Sequence, residues 1–482
     1  MSNYSLSSTP KKSGGNTVLR FLVMLVVMGV AGAAGAMVTF RETPPPVLEI
    51  ASNLPGIGQK TEITVKAREP DRGLAHVKVE LVQGNTTQLL TEANFTPRKV
   101  WDRWGPLTAE HTFTVAVGKS VNPALVQGTA EIRVTAERVG TWLKTPDPEV
   151  KTLSLPVQLT PPTITPTSQA IYVNQGGVEA VVYQVGETSV RDGVQVGEWF
   201  FPGYPLPGGG PQEHFALFAI PYDMTDASGV KLVAQDALGN RGESAGFVHK
   251  FFPRPMGKDT IQLNDKFLEK VVTEVLPQSG LVDKQGLLDN YLQINGELRK
   301  RNNEHLKELA TKTRASFLWR QGFQPMENAK VMGNFADRRT YVYNEKQVDT
   351  QDHLGFDLAS LRLAPVPSAN DGEVVLAKYF GIFGNAVVVD HGFGIMSLYA
   401  HLSSIDVKEG AAVKRGQTLG KTGATGLAGG DHLHFTMLLH GLPVNPVEWW
   451  DSHWIHDRLV LKLGSALPFD DESKATAKGK RG

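Results

Sequence analysis

The sequence predicts a multidomain chain with an N-terminal transmembrane helix, two β-sandwich domains, a helical segment and a C-terminal domain rich in strands. Three observations predict this order. A long apolar run lies near the N-terminus, several later stretches alternate apolar and polar residues, and a further region repeats its apolar residues with the period of a helix. With 482 residues, of which 41% are apolar, the chain is long enough for about three domains with cores of their own.

The composition excludes several functions. Lys plus Arg and Asp plus Glu both number 49, so the formal net charge is zero and a charge-driven nucleic-acid partner is not expected. The chain has no cysteine, which excludes disulfides, cysteine nucleophiles and thiolate metal sites. Any metal must therefore be held by histidine and carboxylate side chains. Six of the 13 histidines lie between His353 and His440.

The apolar run at 21–40 is predicted to be a membrane anchor. Its 20 residues contain a single polar side chain, and a helix of that length spans the ~30 Å of bilayer hydrocarbon. Lys11, Lys12 and Arg20 precede the run, which favours a cytoplasmic N-terminus at 1–20. Small residues within the run also fit a cleaved signal peptide. Either interpretation places the rest of the chain beyond the cytoplasmic membrane, in the periplasm or cell-wall space.

Two β domains are predicted next, at 41–160 and 161–252, joined at Pro161-Pro162. Period-two alternation indicates half-buried strands, and several such strands in series are typical of a sandwich. In the first domain the alternating stretches are Ile63 to Ala67, Val77 to Leu81, Phe113 to Val117 and Leu153 to Leu159. In the second domain, residues 233–236 followed by Gly239-Asn240 resemble the closing strand and turn of bacterial immunoglobulin-like domains. Both domains are therefore expected to be immunoglobulin-like.

A helical segment is predicted at 253–325, because the apolar period changes there to that of a helix. Phe267, Val271 and Val275 share one face of the first predicted helix. The basic triplet at 299–301 could contact an anionic cell wall, but a solvated helix face is the favoured interpretation.

Residues that can hold a metal are concentrated between His353 and His434. His353 and Asp357 are four residues apart and His432 and His434 are two apart, so on strands each pair points to one face. Three imidazole or carboxylate ligands with an open fourth position make a catalytic zinc site. Four candidates exist for three ligand positions, which leaves one histidine free to act on a substrate.

A further histidine strengthens this prediction. His401 ends a strand-like stretch that starts near Val387. Glycines are dense around it, which indicates tight hairpins and a groove that can receive an extended chain.

At this point the sequence resembles a known family, the lysostaphin-type (LytM-type) zinc metallopeptidases, which cut peptide bonds in peptidoglycan. The resemblance covers about 110 residues in matching order. Its motifs are His353-x-Gly355-x-Asp357, Gly384-Asn385, Tyr399-Ala400-His401-Leu402, Gly410-x-x-Val413-x-x-Gly416-Gln417, Gly423-x-Thr425-Gly426, His432-Leu433-His434-Phe435 and Val444-Asn445-Pro446. It implies a mainly antiparallel β metallopeptidase domain at 326–455. The small and charged residues at the end of the sequence separately predict a flexible tail at 456–482.

The resemblance also implies roles for individual residues. His353, Asp357 and His434 match the zinc ligands of the family, and His401 and His432 match its two catalytic histidines that do not bind the metal. His432 is expected to assist the attacking water and His401 the oxyanion, although the sequence does not separate the two roles.

Two positions depart from the family pattern. Ala336 replaces a glycine in the turn before the first ligand, and Asp431 places an additional carboxylate before His432. Neither change removes a ligand.

The expected function is that of a membrane-anchored zinc metalloendopeptidase that hydrolyses the peptide cross-links of peptidoglycan. Peptidoglycan stem peptides are its expected partners, together with the membrane around the N-terminal helix. The alternative is a non-catalytic activator or scaffold that uses a peptidase-like groove to bind a partner. A bond between D-alanine and diaminopimelate is preferred over a glycine bridge.

Overall fold

The computed structural model describes residues 15–40, 44–96, 107–140 and 145–470. The chain divides into two compact units, one of residues 1–160 with 237–240 and one of residues 161–236 with 241–482. Most of the predicted cytoplasmic segment and the end of the predicted tail lie outside the described residues. The predicted domain boundaries stay predictions.

An apolar helix, α1 (Gly15–Phe40), begins the described chain. Its stretch Thr17–Met37 has a mean hydropathy of 2.2, and none of it is buried against the protein. In length and composition this helix can cross a bilayer. The structure thus confirms the apolar N-terminal helix, while the membrane around it stays a prediction.

Among its described residues, the first unit contains a β block of seven strands in two antiparallel sheets, with the orders β1-β2-β5 and β4-β3-β6-β7. The predicted alternation places Ile63, Val65 and Val77 in one buried core, which also contains Ile132. The strands are β1 (Val47–Ser52), β2 (Thr61–Arg68), β3 (Leu74–Gln83), β4 (Thr86–Asn94), β5 (Glu110–Val117), β6 (Gly128–Arg138) and β7 (Glu149–Val157).

The second unit opens with another β block. Two four-stranded antiparallel sheets have the orders β13-β14-β10-β8 and β12-β11-β15-β16, and β17 pairs with β9 in parallel. An immunoglobulin-like fold for either block stays a prediction. The strands are β8 (Ile164–Pro166), β9 (Tyr172–Asn174), β10 (Val178–Val185), β11 (Ser189–Val196), β12 (Trp199–Pro202), β13 (Tyr204–Pro205), β14 (Glu213–Ala219), β15 (Val230–Asp236), β16 (Arg241–Ala245) and β17 (Lys250–Phe252).

The helical segment begins after strand β18 (Lys258–Gln262). It consists of α2 (Asp265–Ser279), α3 (Leu287–Gln293) and α4 (Arg299–Ala310), and a π-helical turn at Ile294–Leu298 joins α3 to α4. Asn264 caps α2 by accepting a hydrogen bond from the Phe267 backbone, and Gly280 ends it in the left-handed conformation. The apolar face of α2 packs into one core with the last β domain.

The C-terminal domain is built on an antiparallel sheet with the order β19-β22-β30-β26-β25-β24-β28, to which β31 adds at β30. Smaller sheets β18-β20-β21 and β23-β29-β27 flank it. The strands are β19 (Lys330–Gly333), β20 (Asp337–Tyr343), β21 (Lys346–His353), β22 (Phe356–Ala359), β23 (Pro365–Pro367), β24 (Gly372–Tyr379), β25 (Asn385–Gly392), β26 (Ile395–Leu402), β27 (Ser404–Ile405), β28 (Ala412–Val413), β29 (Thr418–Lys421), β30 (Leu433–Leu439) and β31 (Leu442–Val444).

Short helical pieces follow the last strand, and they correct one prediction. They are α5 (Pro446–Trp450), α6 (Ser452–Ile455), a π-helical turn at His456–Val460 and α7 (Leu461–Leu463). Leu459 and Leu463 are buried there. The start of the predicted flexible tail is therefore folded, because its apolar residues recur at helical spacing and pack into the core.

Candidate metal centre and active site

Three neighbouring strands bring the predicted ligands together. His353 is the last residue of β21, Asp357 lies in β22 and His434 lies in β30. Asp357 and His434 are direct partners in the antiparallel pairing of β22 with β30. The alternation predicted from the sequence thus holds locally, because the ligands reach one face while Leu433 and Phe435 point into the core.

The three ligand atoms form a nearly equilateral triangle. His353 Nε2, His434 Nδ1 and Asp357 Oδ1 are each 3.0 Å from the other two. Tetrahedral zinc with bonds of about 2.0–2.1 Å separates its ligands by roughly 3.3 Å. The spacing of these atoms therefore suits a small tetrahedral cation.

Neighbouring groups hold the ring hydrogens of His353 and His434 on the nitrogens that do not face the other ligands. His353 Nδ1 lies 2.9 Å from the Asn334 carbonyl, so Nδ1 carries the hydrogen and Nε2 keeps its lone pair. The Thr436 hydroxyl donates to the Leu354 carbonyl at 2.9 Å and accepts from His434 Nε2 at 3.0 Å. Three lone pairs therefore converge on one point, and only a cation satisfies them all.

Asp357 is held as an anion. Burial alone raises the pKa of its carboxyl, but the close imidazole rings of His353, His432 and His434 outweigh burial and lower this pKa well below its usual range. The second carboxylate oxygen, Oδ2, accepts a hydrogen bond of 2.6 Å from Arg339 Nη2. Oδ1 thus faces the histidines while Oδ2 is occupied by the guanidinium.

Two further histidines lie beside the triangle. The ring centroid of His401 is 5.0 Å from that of His432 and 5.7 Å from that of His434. Nδ1 of His401 donates to the Thr425 carbonyl at 2.9 Å, and Nδ1 of His432 donates to the Gly430 carbonyl at 2.8 Å. His401 therefore keeps Nε2 available for proton transfer, while Nε2 of His432 lies 3.4 Å from Asp357 Oδ1.

The two histidines differ in their electrostatic surroundings. Burial, followed by the charges of His432 and His434, lowers the pKa of His401 well below its usual value. Burial also lowers the pKa of His432, but the hydrogen bond and charge of Asp357 outweigh it and raise this pKa overall. His401 also holds a φ of 62°, a left-handed conformation that non-glycine residues adopt mainly where the surrounding structure enforces it.

Close packing explains the glycine of the first motif. A Cβ atom on Gly355 would lie 2.7 Å from the His434 ring and 2.5 Å from the Thr436 hydroxyl. Any other residue would displace the group that fixes the His434 proton.

The helical segment forms the opposite wall of a cavity of about 460 Å³ over these residues. Phe267 of α2, Tyr291 of α3 and Arg299 of α4 line this wall. Lys270 and Glu274 of α2 join it to the metal-site wall by bonding to the loop that follows β29, at 424–428. The segment is thus part of the walls of the site.

All five predicted site residues line this cavity.

Asp431 was expected to place an additional carboxylate beside His432. That carboxylate accepts hydrogen bonds from the Thr422 hydroxyl at 2.6 Å and the Leu363 backbone at 3.2 Å. It is therefore engaged by neighbouring loops despite its position next to His432 in the sequence.

Thr436, Arg339 and Arg299 also belong to the site but were not predicted from the sequence. Thr436 had a signal, because it continues the alternation of His432 and His434 along one strand face. Arg299 was interpreted as part of a solvated face, which is wrong for this residue because it lines the cavity.

Comparison with known proteins agrees with this geometry. The model of Peptidase family M23 matches residues 351–446. The peptidoglycan DD-endopeptidase ShyA of Vibrio cholerae is 33% identical over 158 residues, which are 33% of this chain and 34% of that protein. The DD-carboxypeptidase/endopeptidase Mpg of Neisseria meningitidis is 41% identical over 96 residues, 20% of this chain and 22% of that protein. The matches thus span about a third or less of these relatives.

A solved M23 peptidase structure from Pseudomonas aeruginosa covers 57% of this chain and 93% of its own chain, with 22% identity and a TM-score of 0.36. The matched residues 351–446 contain the three ligands of the triangle and both additional histidines. Residues 351–446 of the chain therefore match Peptidase family M23, to which the resemblance of the sequence motifs also pointed.

Proposed function

We propose that this protein is a zinc metalloendopeptidase that hydrolyses peptide cross-links of peptidoglycan in the cell envelope, anchored to the inner membrane by α1. The convergence of three unprotonated ligand atoms beside two additional histidines is the observation that carries the proposal. Relatives named as peptidoglycan endopeptidases support the substrate class.

His353, Asp357 and His434 would hold the metal. Bound zinc supplies a polarised water of lowered pKa and a positive charge for the scissile carbonyl. No thiolate competes as a ligand because the chain contains no cysteine. Imidazole and carboxylate donors in this geometry favour zinc over calcium or magnesium.

His401 and His432 would move the protons of the reaction. One accepts a proton from the attacking water and the other donates a hydrogen bond to the oxygen that becomes negative. Both rings are aimed by a backbone carbonyl at Nδ1, so neither has to reorient during the reaction. The lowered pKa of His401 and the hydrogen on its Nδ1 favour His401 as the proton acceptor, and the raised pKa of His432 favours His432 as the donor, the reverse of the assignment expected from the sequence.

The second candidate, a non-catalytic scaffold with a peptidase-like groove, is less well supported. A scaffold needs the groove but has no use for two histidines aimed beside a complete ligand set. In this chain all five residues are present and share one cavity.

The test is digestion of purified peptidoglycan with the full chain in mild detergent, with and without a zinc chelator. Mass spectrometry of the released fragments should detect loss of cross-linked dimers, abolished by the chelator and restored by added zinc. His353→Ala serves as the control without activity. Intact cross-links with the zinc-loaded wild type would favour the scaffold instead.

A further inference from the structure

The cavity beside the metal ligands is also lined by Asp259 and by a cation that the chemistry described above does not use. Arg299, the first residue of α4, lines it from the side of the helical segment. Arg299 Nε donates to the Asn295 carbonyl at 3.0 Å and Nη2 donates to the Asn295 side chain at 2.6 Å. Both partners are neutral, and the Asp349 carboxylate accepts from the Asn295 amide at 2.7 Å, so these bonds to the guanidinium bring it no direct counter-charge.

Arg299 also lacks an acidic partner. Within the described part of the chain, no carboxylate lies at ion-pair distance from its guanidinium. Its basic neighbours differ, because Lys300 is exposed and Arg301 pairs with Glu297 on the helix surface. A half-buried cation that lines a cavity without a counter-ion is expected to bind an anion.

A second unsatisfied donor lines the same cavity. Tyr291 is fully buried, and its hydroxyl has no hydrogen-bond partner among the described residues. Burial raises the pKa of this hydroxyl well above its usual value, so it stays a neutral donor. A buried hydroxyl without a partner costs free energy that a ligand able to accept a hydrogen bond recovers.

One ligand group meets both needs. A carboxylate accepts hydrogen bonds only, and it pairs with guanidinium in preference to neutral donors. In a bond between D-alanine and diaminopimelate, the carbon that bears the scissile nitrogen also carries a free carboxylate. A glycine bridge has no such group beside its scissile bonds.

We propose that Arg299, supported by Tyr291, binds the free carboxylate next to the scissile bond and thereby selects D-alanyl–diaminopimelate cross-links. This inference rests on the proposed peptidase function and names the substrate within it. Arg299 acts as a specificity residue contributed by the helical segment, outside residues 351–446 that match the family.

The experiment uses two soluble cross-linked muropeptide dimers, one with this carboxylate free and one with it amidated. Binding of each dimer to the metal-free full chain is measured by calorimetry, and kcat/KM is measured on the zinc-loaded chain. We expect the wild type to prefer the free carboxylate about tenfold or more in both measurements. Arg299→Gln should remove this preference, and Arg299→Lys should restore part of it.

Arg301→Gln is the matched control, because it neutralises an arginine on the same helix that faces away from the cavity. It should keep the preference of the wild type. Equal binding of the two dimers by the wild type would overturn the inference, and so would an equal loss on both dimers in Arg299→Gln.

Failure of the proposed function gives a different pattern. A zinc-loaded wild type that cleaves neither dimer contradicts the peptidase. The binding measurement then still decides about Arg299, since an Arg299-dependent preference supports the carboxylate site and its absence overturns it.

Discussion

Arg339 Nη2 lies 2.6 Å from Oδ2 of Asp357, while Oδ1 of the same carboxylate lies 3.0 Å from His353 and His434. The guanidinium thus binds Oδ2, and Oδ1 remains available as the metal ligand. Such outer partners fix the orientation of a ligand and are worth about 10–100-fold in metal affinity. Arg339 is therefore a positioning residue for the metal site.

The first prediction concerns this pair. Arg339→Met should lower zinc affinity about 10–100-fold, because the Asp357 carboxylate becomes free to rotate. Competition with a chromophoric chelator measures the change directly. Arg338→Met is the matched control, since Arg338 pairs with Asp352 instead. Equal zinc affinities in wild type and Arg339→Met would contradict the role.

The second prediction concerns the helical segment as a wall of the site. Lys270 Nζ donates to the carbonyls of Ala424, Gly426 and Ala428, in the loop whose Thr425 carbonyl orients His401. Lys270→Met should reduce kcat by about tenfold or more, because misplacement of a catalytic group by ~1 Å can cost 10²-fold.

Zinc content should be unchanged in Lys270→Met, since the three ligands are held by hydrogen bonds with Asn334, Arg339 and Thr436, outside this loop. Lys266→Met removes an exposed lysine of the same helix and should retain the turnover of the wild type. If Lys270→Met turned over faster than the wild type, the segment would be an inhibitory lid and this account of the loop would be wrong.

The third prediction uses the turn before the first ligand. Ala336 has a φ of 67° and is buried, where the family pattern has glycine. A non-glycine residue in this conformation costs about 1 kcal/mol, so Ala336→Gly should raise the free energy of unfolding by roughly that amount. Urea unfolding measures it. Ala386→Gly, in β25, is the control and should lower the free energy of unfolding instead. An Ala336→Gly variant no more stable than the wild type would refute the strain at this residue.

The fourth prediction concerns pH. Glu448 is buried and accepts hydrogen bonds from Asn174 at 2.7 Å and from the Val178 backbone at 2.8 Å, in the second β block. Burial is the main cause that raises the pKa of its carboxyl from 4.5 to about 7. Between these values the folded protein binds more protons than the unfolded chain. The free energy of unfolding should therefore decrease as the pH rises through this range, by roughly 3 kcal/mol from this group.

Glu448→Gln cannot ionise, so its stability should decrease less over the same range. Urea unfolding from about pH 5 to about pH 8, followed by tryptophan fluorescence, compares the two proteins. Glu327→Gln alters an exposed carboxylate and should follow the wild type. Parallel pH profiles of wild type and Glu448→Gln would disprove the prediction.

Much of the fold follows from local patterns. Period-two alternation located strands such as β2 and β3, and the uniformly apolar run at 21–40 located α1, because burial or membrane contact imposes these patterns on adjacent residues. The short helices after β31 were missed. They are too brief for periodicity to distinguish them from a tail, and their burial depends on long-range packing.

The site was predictable to the extent that its chemistry lies in short motifs. His353-x-Gly355-x-Asp357 and His432-x-His434 place ligands at even spacing on strands. Arg339 and Arg299 carry no such signal. Arg339 and Asp357 lie on strands of two different sheets, so only the tertiary fold brings them together. Arg299 likewise meets the cavity only because the helical segment lines it.

The most direct test of the central claim is turnover measured against bound zinc in the same samples. Metal-free full-length protein is titrated with zinc, and cross-link cleavage is assayed at each occupancy. We expect turnover to rise linearly and to saturate at one zinc per chain, while His401→Ala binds the same zinc and loses about 10²–10⁴-fold in turnover. Turnover in the metal-free protein, or full activity in both His401→Ala and His432→Ala, would contradict the account.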